Sequence, residues 1–185
     1  MRIAQWFAQW DNARRDGLAA LHAEIRGELK FTAGKREFTL SAIADRIELR
    51  REGYAILDYK TGSARTEKQV RTGLAPQLTL EAAILRAGGF KDVAAGPVSE
   101  VAYVTLKGGE PAGKPNEINF KDGTPDTQAD HALARLKELA AKFEDVATPY
   151  LSLVHPMWTT HYGDYDHLAR VKEWSATGGG EDGES

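Results

Sequence analysis

Cysteine is absent from all 185 residues. That excludes disulfides, structural cysteine-zinc sites and iron-sulfur ligation. No apolar stretch is long enough to span a membrane, and the N-terminus lacks a secretory-type apolar run, so a cytoplasmic protein is the plain expectation. No Gly-x-Gly-x-x-Gly or Walker phosphate loop occurs, and no internal repeat is evident. What remains is a chain long enough for one domain with a sizeable core.

Net charge is only −3, but its distribution is uneven. Residues 1–71 carry fourteen Lys/Arg against ten Asp/Glu, whereas residues 72–185 carry ten against seventeen. A modestly basic first half suits contact with a phosphate backbone, but ordinary surface variation is the simpler explanation.

Hydrophobic spacing predicts a helix over 2–21, with Ile3, Trp6, Phe7 and Trp10 as its apolar stripe and Leu18 and Leu21 extending it. Core packing, rather than base stacking, is the expected role of the tryptophans. Three strands follow, at 24–32, 38–49 and 54–60. Residues 67–87 read as helical, with a break suggested by Gly73 and Pro76 and the securest part starting near Pro76. A strand at 98–106, a flexible connection at 107–125 rich in Gly, Pro and charge, and helices at 126–143 and 164–174 complete the reading. The result is a mixed α/β architecture whose three early strands argue against a Rossmann unit.

Chemistry concentrates at the end of the third strand. Asp58 and Lys60 share parity in Ala55-Ile56-Leu57-Asp58-Tyr59-Lys60, so both side chains project from one sheet face. Asp45, on the preceding strand, would stand beside Asp58 if the two strands pair antiparallel. A buried acid among apolar neighbours needs a cation or a counter-ion, so metal coordination, a structural ion pair and an exposed edge position compete at Asp45. A solvated Asp58–Lys60 salt bridge competes in the same way with a catalytic pair. Gln77, opening the later helix, has two directional hydrogen bonds to give, and Glu81 lies one turn on.

Glu24 and Glu28 offer further carboxylates of unclear register. Arg65, Lys68 and Arg71 form either a phosphate-guiding patch or a solvated charge run. His155, His161 and His167 with Asp164 and Asp166 lack the spacing of a known metal motif, and packing among Tyr150, Trp158, Tyr162, Tyr165 and Trp174 explains more of that tail.

The ordered segments Ala44-Asp45-Arg46-Ile47-Glu48, Ile56-Leu57-Asp58-Tyr59-Lys60-Thr61-Gly62 and Pro76-Gln77-Leu78-Thr79-Leu80-Glu81 resemble the RecB-like branch of the PD-(D/E)XK nuclease superfamily. With Tyr150 and the stretch from Asp164 to Trp174, the resemblance narrows to the C-terminal nuclease domain of AddB, a double-strand-break repair subunit. It implies a restriction-endonuclease-like α/β fold, a mixed central sheet flanked by helices. It implies Mg²⁺, or Mn²⁺, held by Asp45 and Asp58, with Lys60 as the catalytic lysine and Gln77 organising the cleft. It implies exonucleolytic cleavage of DNA during end processing, beside an AddA-like helicase-nuclease partner.

The family's upstream helix with a metal-binding histidine is not matched here, and His22 does not replace it. The expectation is therefore a nuclease-domain fragment over 1–176, missing its upstream helical segment, with a disordered tail at 177–185. The cysteines that hold an iron-sulfur cluster in some AddB proteins are absent as well. Alternative readings are a noncatalytic DNA-binding or assembly module on the same scaffold and a hydrolase of small phosphate esters.

Overall fold

The structure, a computed structural model, describes residues 2–121 and 123–149. The compact unit that carries the sheet ends at Asp145. The expected domain boundary at 176, the tail, the helix at 164–174 and the histidine-aspartate cluster of 155–167 lie outside the described residues.

Helix α1 (Arg2–Arg14) shows the expected stripe, with Ile3, Trp6, Phe7 and Trp10 partly buried and the intervening positions exposed. It does not run to residue 21. Gly17 takes φ of +70°, a left-handed conformation that glycine adopts without steric cost, and the chain reverses there. From Leu18 the burial alternates with period two, so Leu18, Ala20 and His22 face one way and Leu21 faces solvent. Two leucines three residues apart fit a helix as well as a strand, and only pairing with a neighbour decided between them.

Strands β1 (Leu18–Ala33), β2 (Arg36–Arg50) and β3 (Gly53–Lys60) form an antiparallel meander. Helices α2 (Glu67–Arg71) and α3 (Gln77–Arg86) then carry the chain to β4 (Val98–Leu106), which pairs parallel to β3. A parallel neighbour requires such a crossover, which places α3 on a sheet face directly after β3. The expected break is present: α2 ends with a turn at Gly73, φ +73°, and Pro76 stands at the N-cap of α3.

The segment 107–125, expected as a flexible connection, contains β5 (Gly113–Glu117), antiparallel to β4. Pro115 is tolerated because β5 is an edge strand. Gly113 admits the ring of Trp6: a Cβ there would stand 2.2 Å from Trp6 Cε3. Helix α4 (Pro125–Glu144) starts at a Thr124 capping box with proline in its first turn. Ala129 is buried and Leu133 packs against the core, whereas Leu139 is exposed.

The sheet order is β1-β2-β3-β4-β5. One face of β3 and β4 presents Ala55, Leu57, Ala102 and Val104 to Trp6 and Trp10 of α1. The opposite face presents Ile56, Val101 and Tyr103 to Leu78, Ala82 and Leu85 of α3. Covered on both sides, β3 is buried from Gly53 through Asp58, which explains its continuous apolar run.

Candidate active site

The ladder between β2 and β3 pairs Arg46 with Leu57, and continuing its register by one residue brings Asp45 level with Asp58. Oδ2 of Asp45 accepts from the Tyr59 backbone amide at 2.8 Å. The two acids are therefore neighbours across strands, as the sequence led one to expect.

Asp58 is 3% exposed and each of its oxygens has a close polar neighbour. Oδ1 accepts from Nε2 of Gln77 at 2.6 Å, while Nζ of Lys60 lies 2.7 Å from Oδ2. The lysine contact has the distance of an ion pair without the alignment of a hydrogen bond, so Oδ2 keeps lone pairs uncommitted. Lys60 also reaches Oε1 of Gln77 at 3.4 Å, and its ammonium stands 5.8 Å from the Tyr103 ring centroid. Asp58, Lys60 and Gln77 thus meet at one point.

Two further polar residues join this group. Glu81 is 2% exposed, one turn after Gln77, and its Oε1 accepts from the same Gln77 Nε2 at 3.1 Å. Its Oε2 has no hydrogen-bond partner. Burial raises the Glu81 carboxyl to about 7; the Gln77 bond opposes this, Asp58 and Asp45 push it further up, and Lys60 pulls it down. The signal was present in the sequence, since Glu81 stands three residues after Leu78 and four before Leu85, within the helix's apolar stripe.

Tyr103, fully buried, lies directly opposite Asp58 in the parallel ladder, and its hydroxyl also lacks a partner. Burial lifts its phenol to about 12, with the Asp58 and Glu81 charges adding to the rise and Arg65 opposing it. Nothing in Val98–Leu106 distinguished this tyrosine from a core aromatic.

The remaining candidates are exposed or half-buried. Glu28 pairs with Arg26 on the surface at 3.1 Å. Glu24 is exposed with φ +52°, at the point where the β1–β2 ladder steps from Ala23–Arg46 to Ile25–Ala44. His22 is half-buried opposite Ile47. Arg65, Lys68 and Arg71 are exposed, and the last two line a cleft of about 430 Å³ with Lys121, Gln128, Thr72 and Phe120.

On the far face of the same strands, Glu48 is fully buried and binds three arginines: Arg14 at 3.0 Å and Arg46 and Arg50 at 2.7 Å each. Arg46 continues to Asp11 at 2.6 Å and to the Tyr59 hydroxyl at 3.3 Å. The network ties α1 to the strands that carry Asp45 and Asp58.

A hard divalent cation takes oxygen donors, and Asp45 and Asp58 are the ones available at this strand end. The uncommitted Asp58 Oδ2 and the unpartnered Glu81 Oε2 fit such an ion in donor type. Among the described residues no three acidic or histidine side chains already converge in liganding geometry.

The sequence profile of the PD-(D/E)XK nuclease superfamily matches residues 1–152, spanning every strand and helix described above. The chain belongs to the PD-(D/E)XK nuclease superfamily. Its mixed five-strand sheet with flanking helices is the restriction-endonuclease-like fold of that superfamily, whose members are typically divalent-metal-dependent nucleases.

Similar proteins include an uncharacterized protein of Rickettsia bellii, 29% identical over 180 residues, covering 90% of this chain and 21% of that one. An uncharacterized Rickettsia felis protein is 38% identical over 85 residues, 45% of this chain and 10% of its own length. The chain thus spans about a fifth or less of these relatives. Neither bears an AddB designation, so that narrower part of the resemblance rests on the motifs alone. The crystal structure of SSO0001 aligns with a TM-score of 0.40 at 15% identity, covering 85% of this chain and 70% of that one.

Proposed function

We propose that this superfamily domain is a divalent-metal-dependent deoxyribonuclease centred on Asp45, Asp58, Lys60 and Gln77. The observation that carries the reading is Gln77: one side chain at the start of α3 contacts both Asp58 and Lys60 of β3. It fixes a buried acid and a half-buried ammonium at the same strand end, beside Asp45.

Asp45 and Asp58 would hold Mg²⁺ or Mn²⁺, which when bound polarises a phosphate and lowers the pKa of water. Lys60 holds negative charge on the phosphoryl oxygens as it develops, and Gln77 keeps Lys60 and Asp58 from drifting apart. Tyr59, through its amide, keeps Asp45 in place. Exposed Arg65, Lys68, Arg71 and Lys121 suit a DNA backbone.

The order of motifs supports a finer placement: an exonuclease with Mg²⁺ as its ion, acting in double-strand-break end processing beside an AddA-like helicase-nuclease. A noncatalytic DNA-binding role is the second reading, favoured by the ion pair that Lys60 makes with Asp58.

Labelled single- and double-stranded DNA incubated with the protein and Mg²⁺ or Mn²⁺ separates the two. Cleavage that is lost in Asp58→Ala and in Lys60→Ala supports the nuclease centre. Equal cleavage by both variants and the wild type places the chemistry elsewhere, and DNA binding without cleavage supports the second reading.

A further inference from the structure

Glu81 is the least expected member of the neighbourhood. A carboxylate on the apolar stripe of α3 loses its hydration on folding, and such a group persists only with strong partners. Its one neutral hydrogen bond, from Gln77, leaves Oε2 with nothing.

Gln77 also fixes where that carboxylate stands. A single nitrogen, Nε2, lies 2.6 Å from Asp58 Oδ1 and 3.1 Å from Glu81 Oε1. The two carboxylate oxygens are then no farther apart than those two bonds laid end to end. Two oxygens on one Mg²⁺, at roughly 2.1 Å each in octahedral geometry, sit about 3 to 4 Å apart. Among the described residues the three carboxylates do not already converge in liganding geometry, so uptake of an ion requires their side chains to rotate toward it.

Charge points the same way. Asp45 and Asp58 both act on Glu81 electrostatically, and Lys60 is the cation that opposes them. Three carboxylates against one ammonium leave two negative charges, which a divalent cation neutralises. The unpartnered Tyr103 hydroxyl, on the strand position opposite Asp58, adds a further neutral oxygen to the same buried edge.

We propose that Glu81 is a third carboxylate of the cation site, joining Asp45 and Asp58 around one divalent ion. The inference rests on the nuclease reading of Asp45 and Asp58 and adds a residue from α3 to it. A merely structural Glu81, present to anchor Gln77, would be indifferent to metal.

Calorimetric titration of Mn²⁺ into the 185-residue chain tests this, with Glu81→Gln, Glu81→Asp, Asp45→Asn and Asp58→Asn beside the wild type. Glu81→Gln keeps the shape and an oxygen for Gln77, so its thermal midpoint in EDTA should equal or exceed that of the wild type. Its Mn²⁺ dissociation constant should rise at least tenfold. Glu81→Asp, which keeps the charge on a shorter arm, should fall between, and it carries the test if Glu81→Gln does not fold.

Wild-type affinity in either Glu81 variant, with binding lost in Asp58→Asn, overturns the inference and leaves the nuclease reading standing. Wild-type affinity in both Asp45→Asn and Asp58→Asn overturns the reading itself. A wild-type chain that takes up no Mn²⁺ overturns both.

Discussion

The backbone amide of Tyr59 donates to Oδ2 of Asp45 at 2.8 Å, at the point where the β2–β3 ladder has made its last pair, Arg46 with Leu57. A backbone donor on a half-buried strand end requires an acceptor, and here a side chain supplies it. The bond does two jobs. It satisfies the end of β3 and holds one acid beside another.

Replacement of Asp45 separates these jobs. Asp45→Asn retains a side-chain oxygen for the Tyr59 amide, so the thermal midpoint should stay near that of the wild type. Metal-dependent cleavage should fall by about 100-fold or more, as for loss of a charge-stabilising group at a reacting centre. Melting curves and cleavage rates for the same preparation check both statements, and unchanged cleavage would remove Asp45 from the site.

Gln77 should behave as a positioning residue. Gln77→Ala frees Asp58 and Glu81 from their shared donor, and activity should drop roughly 10- to 100-fold, the range seen when groups that orient ligands are removed. Gln77→Glu should be worse, because it places a carboxylate within hydrogen-bond distance of two others. Its melting temperature in EDTA should fall below that of Gln77→Ala, and added Mn²⁺ should recover part of the loss.

Stability without metal should depend on pH through Glu81. Its folded pKa, about 7, exceeds the ordinary 4.5, so between these values the folded chain holds a proton that the unfolded chain has released. The penalty is absent below about pH 4.5, grows as pH rises, and is complete above about pH 7. Its size is on the order of 3 kcal/mol. Urea unfolding in EDTA at pH 5 and pH 8 should show Glu81→Gln gaining on the wild type at the higher pH; a pH-independent difference would contradict this.

The Glu48 network should be expensive to open from one side. Glu48→Ala leaves Arg46, itself 4% exposed, with Asp11 as its remaining acid, and loss of one partner of a buried pair costs about 3–5 kcal/mol. Glu48→Gln keeps hydrogen-bond acceptance and should cost less. Denaturant midpoints rank the two variants, and similar values for both would mean that the charge of Glu48 contributes little.

Much of this arrangement could be read from local pattern. Alternation in Phe38–Leu49 and the apolar run to Asp58 marked β2 and β3, and parity put Asp58 and Lys60 on one face. Pro76 marked the start of α3 and so the place of Gln77. These signals are local because strand and helix periods are fixed by backbone geometry.

Where the signal depended on a distant partner, it failed. Leu18 and Leu21 fitted a helix until β2 paired with their strand, and Gly113–Glu117 looked like a loop because an edge strand tolerates proline and glycine. Glu81, one turn after Gln77, was legible as a partner for Gln77 or an extension of the polar edge; the bond is present, and its burial depended on how α3 packs. Tyr103 became notable only when the crossover laid β4 beside β3 and set it opposite Asp58.

By itself the sequence determined the order of strand, acid, lysine and glutamine, because residue spacing sets which side chains share a face of one element. Tertiary structure alone decided that Gln77 bridges Asp58 and Glu81, and that Glu81 is buried with an oxygen unpaired. Those facts depend on how closely α3 packs on β3, which is set by side chains from both elements and by the crossover that joins them.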